Sequence, residues 1–259
     1  MDHRKTEQLI DTLDKVEQNR KECYIREFSI EHFHDSKVFE TLIPKICKIF
    51  REENEELTGF ENEEILAEYQ IYKTPGYVYM KGNVQIYSAG KQAADISAFP
   101  EGIAVAVGSE EDVPDICPDQ TIDKVFTIEN LTSFYRFKQE HSLVIYLGGY
   151  HDRSRRNLLM QIYQKLPDAQ YYHFGDLDAG GFYILEHLKR KTGIPFQMFQ
   201  MDIETLKKYE DYAKPLTEND KKRLMQLEKM ELPDEERKLI TYMLQKGIKL
   251  EQECISESQ

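Results

Sequence analysis

The sequence predicts an α/β chain: a mainly parallel sheet flanked by helices, with a smaller α+β N-terminal region and a helical C-terminal tail. Three observations predict it. Beyond residue 124, short apolar runs of strand length alternate with helix-length stretches, the order of parallel β/α units. Before residue 120, helical spacing of apolar residues gives way once to strand-like runs. After residue 202, apolar positions return at helical spacing, with Pro215 and Pro233 near the breaks. Residues 108–120 hold Pro114 and Pro118 and form the candidate boundary. They divide an α+β region over 1–120 from the sheet domain with its helical extension over 121–259.

Each element follows from a local pattern. Residues 1–21 read as a charged helix with Leu9, Ile10, Leu13 and Val16 on one face. Asp35 or Ser36 caps a second helix, whose stripe includes Val38, Phe39, Leu42, Ile46 and Phe50; Pro44 sits inside it as a kink. Residues 52–68 are acid-rich and contain Gly59, so a loop and a short helix are expected. Residues 77–80 and 84–87, around Lys81-Gly82-Asn83, read as a hairpin. A further strand covers 103–107. Then come strand 125–128, helix 130–138, strand 143–147, helix 152–165, strand 170–174, helix 180–191 and strand 196–199. The tail predicts helices near 202–213, 217–230 and 234–246.

Composition removes several classes of function. No apolar run approaches the roughly 20 residues that span a bilayer. The N-terminal stretch lacks an apolar h-region, so no secretory signal is expected. Cys23, Cys47, Cys117 and Cys254 are scattered without zinc-site spacing. A membrane protein, a disulfide-stapled module and a zinc finger are thereby excluded, and a reduced cytoplasm is the expected location. The net charge of −13 argues against a chain that binds nucleic acid over its whole surface. The charge is uneven, however. Residues 101–123 carry acids and no Lys or Arg, whereas 136–165 carry Arg136, Lys138, Arg153, Arg155, Arg156 and Lys165 against Glu140 and Asp152. A basic patch on an acidic body and two solvated faces are both compatible with that pattern.

In a parallel sheet, chemistry gathers at the carboxyl ends of the strands. Two such ends carry acids here: Ile128-Glu129-Asn130, and Phe174-Gly175-Asp176-Leu177-Asp178-Ala179-Gly180-Gly181. Asp176 and Asp178 are two apart, which in extended chain puts both carboxylates on one side. Clustered carboxylates call for a hard cation, Mg²⁺ or Mn²⁺. Gly175, Gly180 and Gly181 permit a sharp turn and close approach by a ligand. The plain alternative is that Asp178 caps the next helix while Asp176 orders the turn. His173 lies in a strand and reads as packed rather than ligating, and His151 stands nearer the functional edge. A DxD phosphatase wants Thr or Val two residues past its second Asp, where this chain has Gly180.

Taken together, Glu129, the Gly148-Gly149 pair and the DxD of Asp176 and Asp178 resemble the Toprim metal-binding module of topoisomerases, primases and nucleases. Residues 128–134 (IENLTSF), 146–150 (YLGGY) and 173–182 (HFGDLDAGGF) further resemble the C-terminal region of JetD, the nuclease subunit family of Wadjet plasmid-defence systems. That family is in turn similar to the topoisomerase VI A subunit. Arg26-Glu27-Phe28-Ser29 with Asp35-Ser36-Lys37, and Glu251-Gln252-Glu253, extend the resemblance over residues 24–255. The family's chains are longer at the N-terminus, with winged-helix DNA-binding arms, and here residues 1–23 precede the matching segment.

The resemblance implies a Toprim-like fold and metal-dependent cleavage of DNA. Glu129, Asp176 and Asp178 are the expected catalytic and metal-holding residues, with Mg²⁺ or Mn²⁺ as cofactor and Glu251 and Glu253 as further metal ligands. Arg153, Arg155 and Arg156, at the start of a helix, are the expected contacts to DNA. The implied partners are DNA and the SMC-like ATPase, kleisin and accessory subunits of a defence complex; a homodimer is left open and no membrane is expected. Two other readings stay open at this point. One is a topoisomerase VI A-like transesterase, for which no particular Tyr stands out. The other is a DNA-binding or assembly module of the same fold that does not cut.

Overall fold

The computed structural model describes residues 3–54, 57, 60–73, 76–107, 114–148 and 153–255. In chain order the helices are α1 (His3–Gln18), α2 (Ile25–Phe33), α3 (Val38–Glu53), α4 (Asn62–Glu68), α5 (Leu131–Arg136), α6 (Arg153–Lys165), α7 (Ala179–Thr192), α8 (Ile203–Lys208), α9 (Glu218–Leu227) and α10 (Asp234–Lys246). The strands are β1 (Cys23–Tyr24), β2 (Ile71–Tyr72), β3 (Gly76–Lys81), β4 (Val84–Ser88), β5 (Lys91–Asp95), β6 (Ile103–Val107), β7 (Asp115–Pro118), β8 (Lys124–Ile128), β9 (Ser142–Tyr146), β10 (Gln170–Phe174), β11 (Gln197–Met198), β12 (Lys214–Pro215) and β13 (Ile248–Lys249). The chain divides into two compact units: Met1–Gly76 with Ala106–Val113 and Asp152–Ser154, and Tyr77–Val105 with Pro114–His151 and Arg155–Gln259. None of the described helices is long and apolar enough to cross a membrane.

The first unit is mainly helical. α2 packs on α3 through Phe28 and Phe39, whose ring centroids lie 4.5 Å apart. The buried Ser29 hydroxyl ties the joint between them: it accepts from Phe39 N at 3.0 Å and donates to the Asp35 carbonyl. Asp35 does not cap α3 by the expected route. Its carboxylate accepts from Lys37 N at 2.7 Å, and Lys37 is the residue that precedes the helix. Pro44 is accommodated inside α3, which runs through to Glu53. A short parallel ladder of β1 and β2 closes this unit.

The second unit is built on a six-stranded sheet in the order β11-β10-β8-β9-β3-β6. β8 pairs in parallel with both β9 and β10, β10 pairs in parallel with β11, and β3 is antiparallel to β9. The sheet is therefore mostly parallel, as the alternation of strands and helices predicts. β8 occupies a reversal point. The chain moves from β8 to β9 on one side, then passes back over β8 to β10 on the other, the arrangement that opens a crevice at the strands' carboxyl ends. The core is largely aromatic, with Phe126 against Phe137, Tyr172 and Phe199 at centroid distances of 4.7, 5.2 and 5.0 Å. Leu224, Leu239, Ile240 and Met243 of α9 and α10 extend the same buried cluster. Their tails-to-core burial is the main stabilising term, at about 25 cal/mol per Å² of apolar surface removed from water.

Three expectations need correction. β3 and β4 are not a hairpin. β3 joins the large sheet, while β4 pairs with β5 and β7 in a separate three-stranded antiparallel sheet. The turn at Gly82 serves as the crossing point, with φ of +141° and space so tight that a Cβ would stand 2.6 Å from the Ser142 carbonyl oxygen. The boundary loop of 108–120 contains a strand, β7, although its residues 108–113 lie outside the described set. The tail is not wholly helical: β12 and β13 form an antiparallel ladder with Lys214 opposite Lys249. Residues this short in strand have no periodicity to read.

Candidate functional site

Sheet register brings the two acidic strand ends together. Ile128 of β8 is level with Phe174 of β10, and the ladder continues one rung as Glu129 N donates to the Phe174 carbonyl at 3.0 Å. Glu129 thus stands beside Gly175 and Asp176. The Asp176 amide donates to Glu129 Oε2 at 3.3 Å. Gly175 leaves room there for the Glu129 side chain: a Cβ would lie 2.6 Å from Glu129 Oε2 and 2.8 Å from His173 Nε2, so the carboxylate would have to shift. Gly181 is required outright: its missing side chain admits the Asp176 carbonyl oxygen, backbone that a Cβ would approach to 2.2 Å. The close approach that the glycines allow is therefore by the chain itself.

Asp176 and Asp178 are held differently. Asp176 Oδ1 accepts from Gln252 N at 2.7 Å. Asp178 caps α7, its Oδ1 accepting from Gly181 N at 3.0 Å, and its Oδ2 lies 3.9 Å from Lys249 Nζ. Lys249 is anchored in turn on Asp220 at 2.9 Å. The capping role that the sequence offered as the plain reading of Asp178 is present, but a lysine also attends it.

The C-terminal segment completes the cluster. Leu250 and Leu177 exchange backbone bonds at 2.9 and 3.1 Å, so residues 248–255 lie alongside the DxD turn. Gln252, fully buried, is the knot. Its Oε1 accepts from Asn130 N at 2.9 Å, its Nε2 donates to the Phe174 carbonyl at 3.0 Å, and its backbone holds Asp176. Asn130 Nδ2 donates to Glu253 Oε1 at 2.6 Å, and Lys214 pairs with Glu251. Burial pushes the Asp176 carboxyl up to about 6, helped by the negative charges of Asp178, Glu253 and Glu251 and opposed by the Gln252 amide. Of the expected metal residues, the Glu129 carboxylate meets the backbone amide of Asp176, and Asp178, Glu251 and Glu253 are near enough to repel the Asp176 carboxylate.

This donor set fits a hard divalent cation by chemistry: every candidate is a carboxylate oxygen, and added positive charge would relieve the raised Asp176. It is not a preassembled cage. Among the described residues, no three His, Cys, Asp or Glu side chains are gathered as one ion-holding group. One oxygen each of Asp176 and Asp178 is turned to a backbone amide instead.

The expected DNA-contacting arginines fare unevenly. The side chain of Arg153 lies outside the described residues, as do Gly149 and His151. Arg155 donates to the Tyr77 carbonyl at 3.3 Å. Arg156 is buried, and His187 is pushed down to about 3 by its own burial first and then by the Arg156 charge. Burial removes Arg156 from the surface set proposed for DNA. The acidic and basic runs also meet, with Lys165 paired to Asp115. His173 is packed, as its strand position suggests: fully buried, bonded to Thr127 Oγ1 at 3.0 Å, and pushed down to about 3 by burial and by Lys189. Sequence reasoning missed Gln252, Asn130 and Lys249. Only the Glu251-Gln252-Glu253 string drew attention to the tail, and there the acids, not the amide, stood out.

The family described as Wadjet protein JetD, C-terminal, matches residues 111–259. The chain belongs to this JetD C-terminal family. Glu129, Asp176, Asp178, Lys249 and Gln252 all fall inside the matched span. Over 254 residues the chain is 29% identical to the Wadjet protein JetD of Bacillus cereus (strain Q1), which covers 96% of this chain and 61% of that protein. The chain thus spans about 61% of the length of the curated relative it matches.

Proposed function

We propose that this chain is a metal-dependent DNA endonuclease of Toprim type, acting in a Wadjet-type anti-plasmid defence system with DNA and the SMC-like ATPase, kleisin and accessory subunits as partners. The observation that carries the reading is the meeting of Glu129 with the Asp176-Leu177-Asp178 turn at the reversal point of a mostly parallel sheet. Likeness to JetD supports the defence setting.

Asp176, Asp178 and Glu129 would hold Mg²⁺ or Mn²⁺. Bound there, the ion would neutralise charge on the phosphoryl oxygens and lower the pKa of an attacking water. Gln252 and Gly181 orient the two aspartates by holding one oxygen of each. Lys249 offsets the negative charge of Asp178. Glu129 would share that ion or move the proton of the attacking water. Tyr146, near Glu129, is a poor candidate for a transesterase nucleophile, since burial raises its pKa and disfavours the phenolate.

Incubating supercoiled plasmid with the protein and Mn²⁺ tests the reading. Nicked or linear product is expected, with Glu129→Gln and Asp176→Asn each slowing it at least 100-fold, the scale of losing a general acid–base or metal-holding group. Cleavage by either variant at the wild-type rate would sink it. A second reading, a DNA-binding or assembly module that does not cut, draws on Asp178, whose two oxygens face a helix N-terminus and a lysine. Stoichiometric plasmid binding with no Mn²⁺-dependent product, alone or with the partner subunits, would favour it.

A further inference from the structure

A cavity of about 740 Å³ in the second unit shares two residues with the candidate site. Phe174 contributes to its wall, and the Phe174 carbonyl is where Glu129 N and Gln252 Nε2 both bond. Glu253, bonded to Asn130, is the other shared residue. Whatever enters this cavity stands next to the acidic cluster.

The lining is selective in kind. Arg136 and Lys138, around the end of α5, and Lys208, closing α8, bring three cations, all exposed, against the two carboxylates of Glu101 and Glu253. Tyr135 brings an aromatic ring that is 41% exposed, while Tyr209 is buried in the core, with the Lys208 ammonium 5.0 Å from its ring centroid. Gln200 brings an amide whose Oε1 is buried without a hydrogen-bond partner. Gln200 also sits in the left-handed region, at φ of 52°, a conformation a non-glycine residue holds at a cost. Exposed cations beside an exposed aromatic ring suit a planar ligand that carries a phosphate. A duplex is too wide for such a volume, whereas a single nucleotide fits within the range of small-ligand pockets.

We propose that this cavity receives one unpaired nucleotide of the DNA, next to the phosphate to be cut. The proposal rests on the nuclease reading and names its substrate: DNA with a base free to leave the stack. Arg136 and Lys208 take the phosphate, and Tyr135 takes the face of the base. Extruding a base is cheapest where it is already unpaired, so the cavity turns local distortion of DNA into affinity.

The test uses two duplexes of equal length in EDTA, one fully paired and one carrying a single bulged 2-aminopurine, with fluorescence and anisotropy as readouts. Wild type is expected to bind the bulged duplex at least fivefold more tightly, with a change in 2-aminopurine emission. Arg136→Gln/Lys208→Gln, at exposed positions, should reduce that preference to less than twofold, and Tyr135→Ala should lower it at least twofold. Equal affinity for the two duplexes overturns the proposal while plasmid cleavage leaves the nuclease reading standing. A preference unchanged in the variants also overturns it. Free deoxynucleotide monophosphate binding as tightly as the bulged duplex would assign the cavity to a free nucleotide and overturn its DNA role. Failure to bind either duplex, with no plasmid cleavage, removes this inference and the nuclease reading together.

Discussion

Asp176 holds its charge at a cost to folding. In the unfolded chain its carboxyl titrates near 3.8, and in the folded protein near 6. Below pH 3.8 the group is protonated in both states and contributes no difference. Between 3.8 and about 6 the unfolded chain releases a proton that the folded chain keeps, so stability falls as pH rises. Above that window the full cost is present. Asp176→Asn should therefore match wild type near pH 3.5 and exceed it near pH 8. The shift converts to about 3 kcal/mol, which partial solvent screening reduces to about 2 kcal/mol. Urea melts at the two pH values measure it, and equal stability at pH 8 would contradict the strain assigned to this carboxylate. His173 and His187 titrate in the opposite sense, both pushed down by burial, so the variant-minus-wild-type difference is the quantity to compare.

At the scale of elements, the turn between β10 and α7 depends on two missing side chains. Gly181→Ala would drive a Cβ into the Asp176 carbonyl. The expected loss is about 2–3 kcal/mol, typical of forced overpacking against backbone. Gly193→Ala, at φ of +69° with nothing within 4 Å, should lose about 1 kcal/mol through backbone conformation alone. Thermal denaturation of the pair separates the two causes, and equal losses would contradict the tight packing at Gly181. The β/α run from β8 to α7 was legible in the sequence to within two residues at nearly every end, because its apolar runs and caps are strong. Asn130 and Asp178 both accept from the third residue of their helices, as their types suggest. The pairing of β3 and β4 was not legible, since a short alternating strand does not say which neighbour it takes. Glu129 and the DxD were visible as candidates because acids at strand ends stand out. Gln252 was not, because a buried amide acts through its geometry and carries no charge pattern.

On the scale of the whole second unit, the site is a junction between the sheet and the returning tail. Leu177 with Leu250, and Gln252 with Asn130, Phe174 and Asp176, fasten residues 248–255 to the two acidic turns. If Asp176, Asp178 and Glu129 hold a divalent ion, its binding should slow opening of both segments together. Hydrogen exchange with and without Mn²⁺ is expected to show at least tenfold greater protection at 174–182 and at 248–255, and no comparable gain in α1 or α3. Protection confined to 174–182 would mean that the tail is only a bystander to the ion.

The fastening by Gln252 also sets a timetable. The β8 turn that it grips at Asn130 is translated 122 residues earlier. During synthesis the DxD turn is therefore made before the glutamine that clasps it. The clasp on Asn130 and Asp176 is thus among the last contacts of the site to be made.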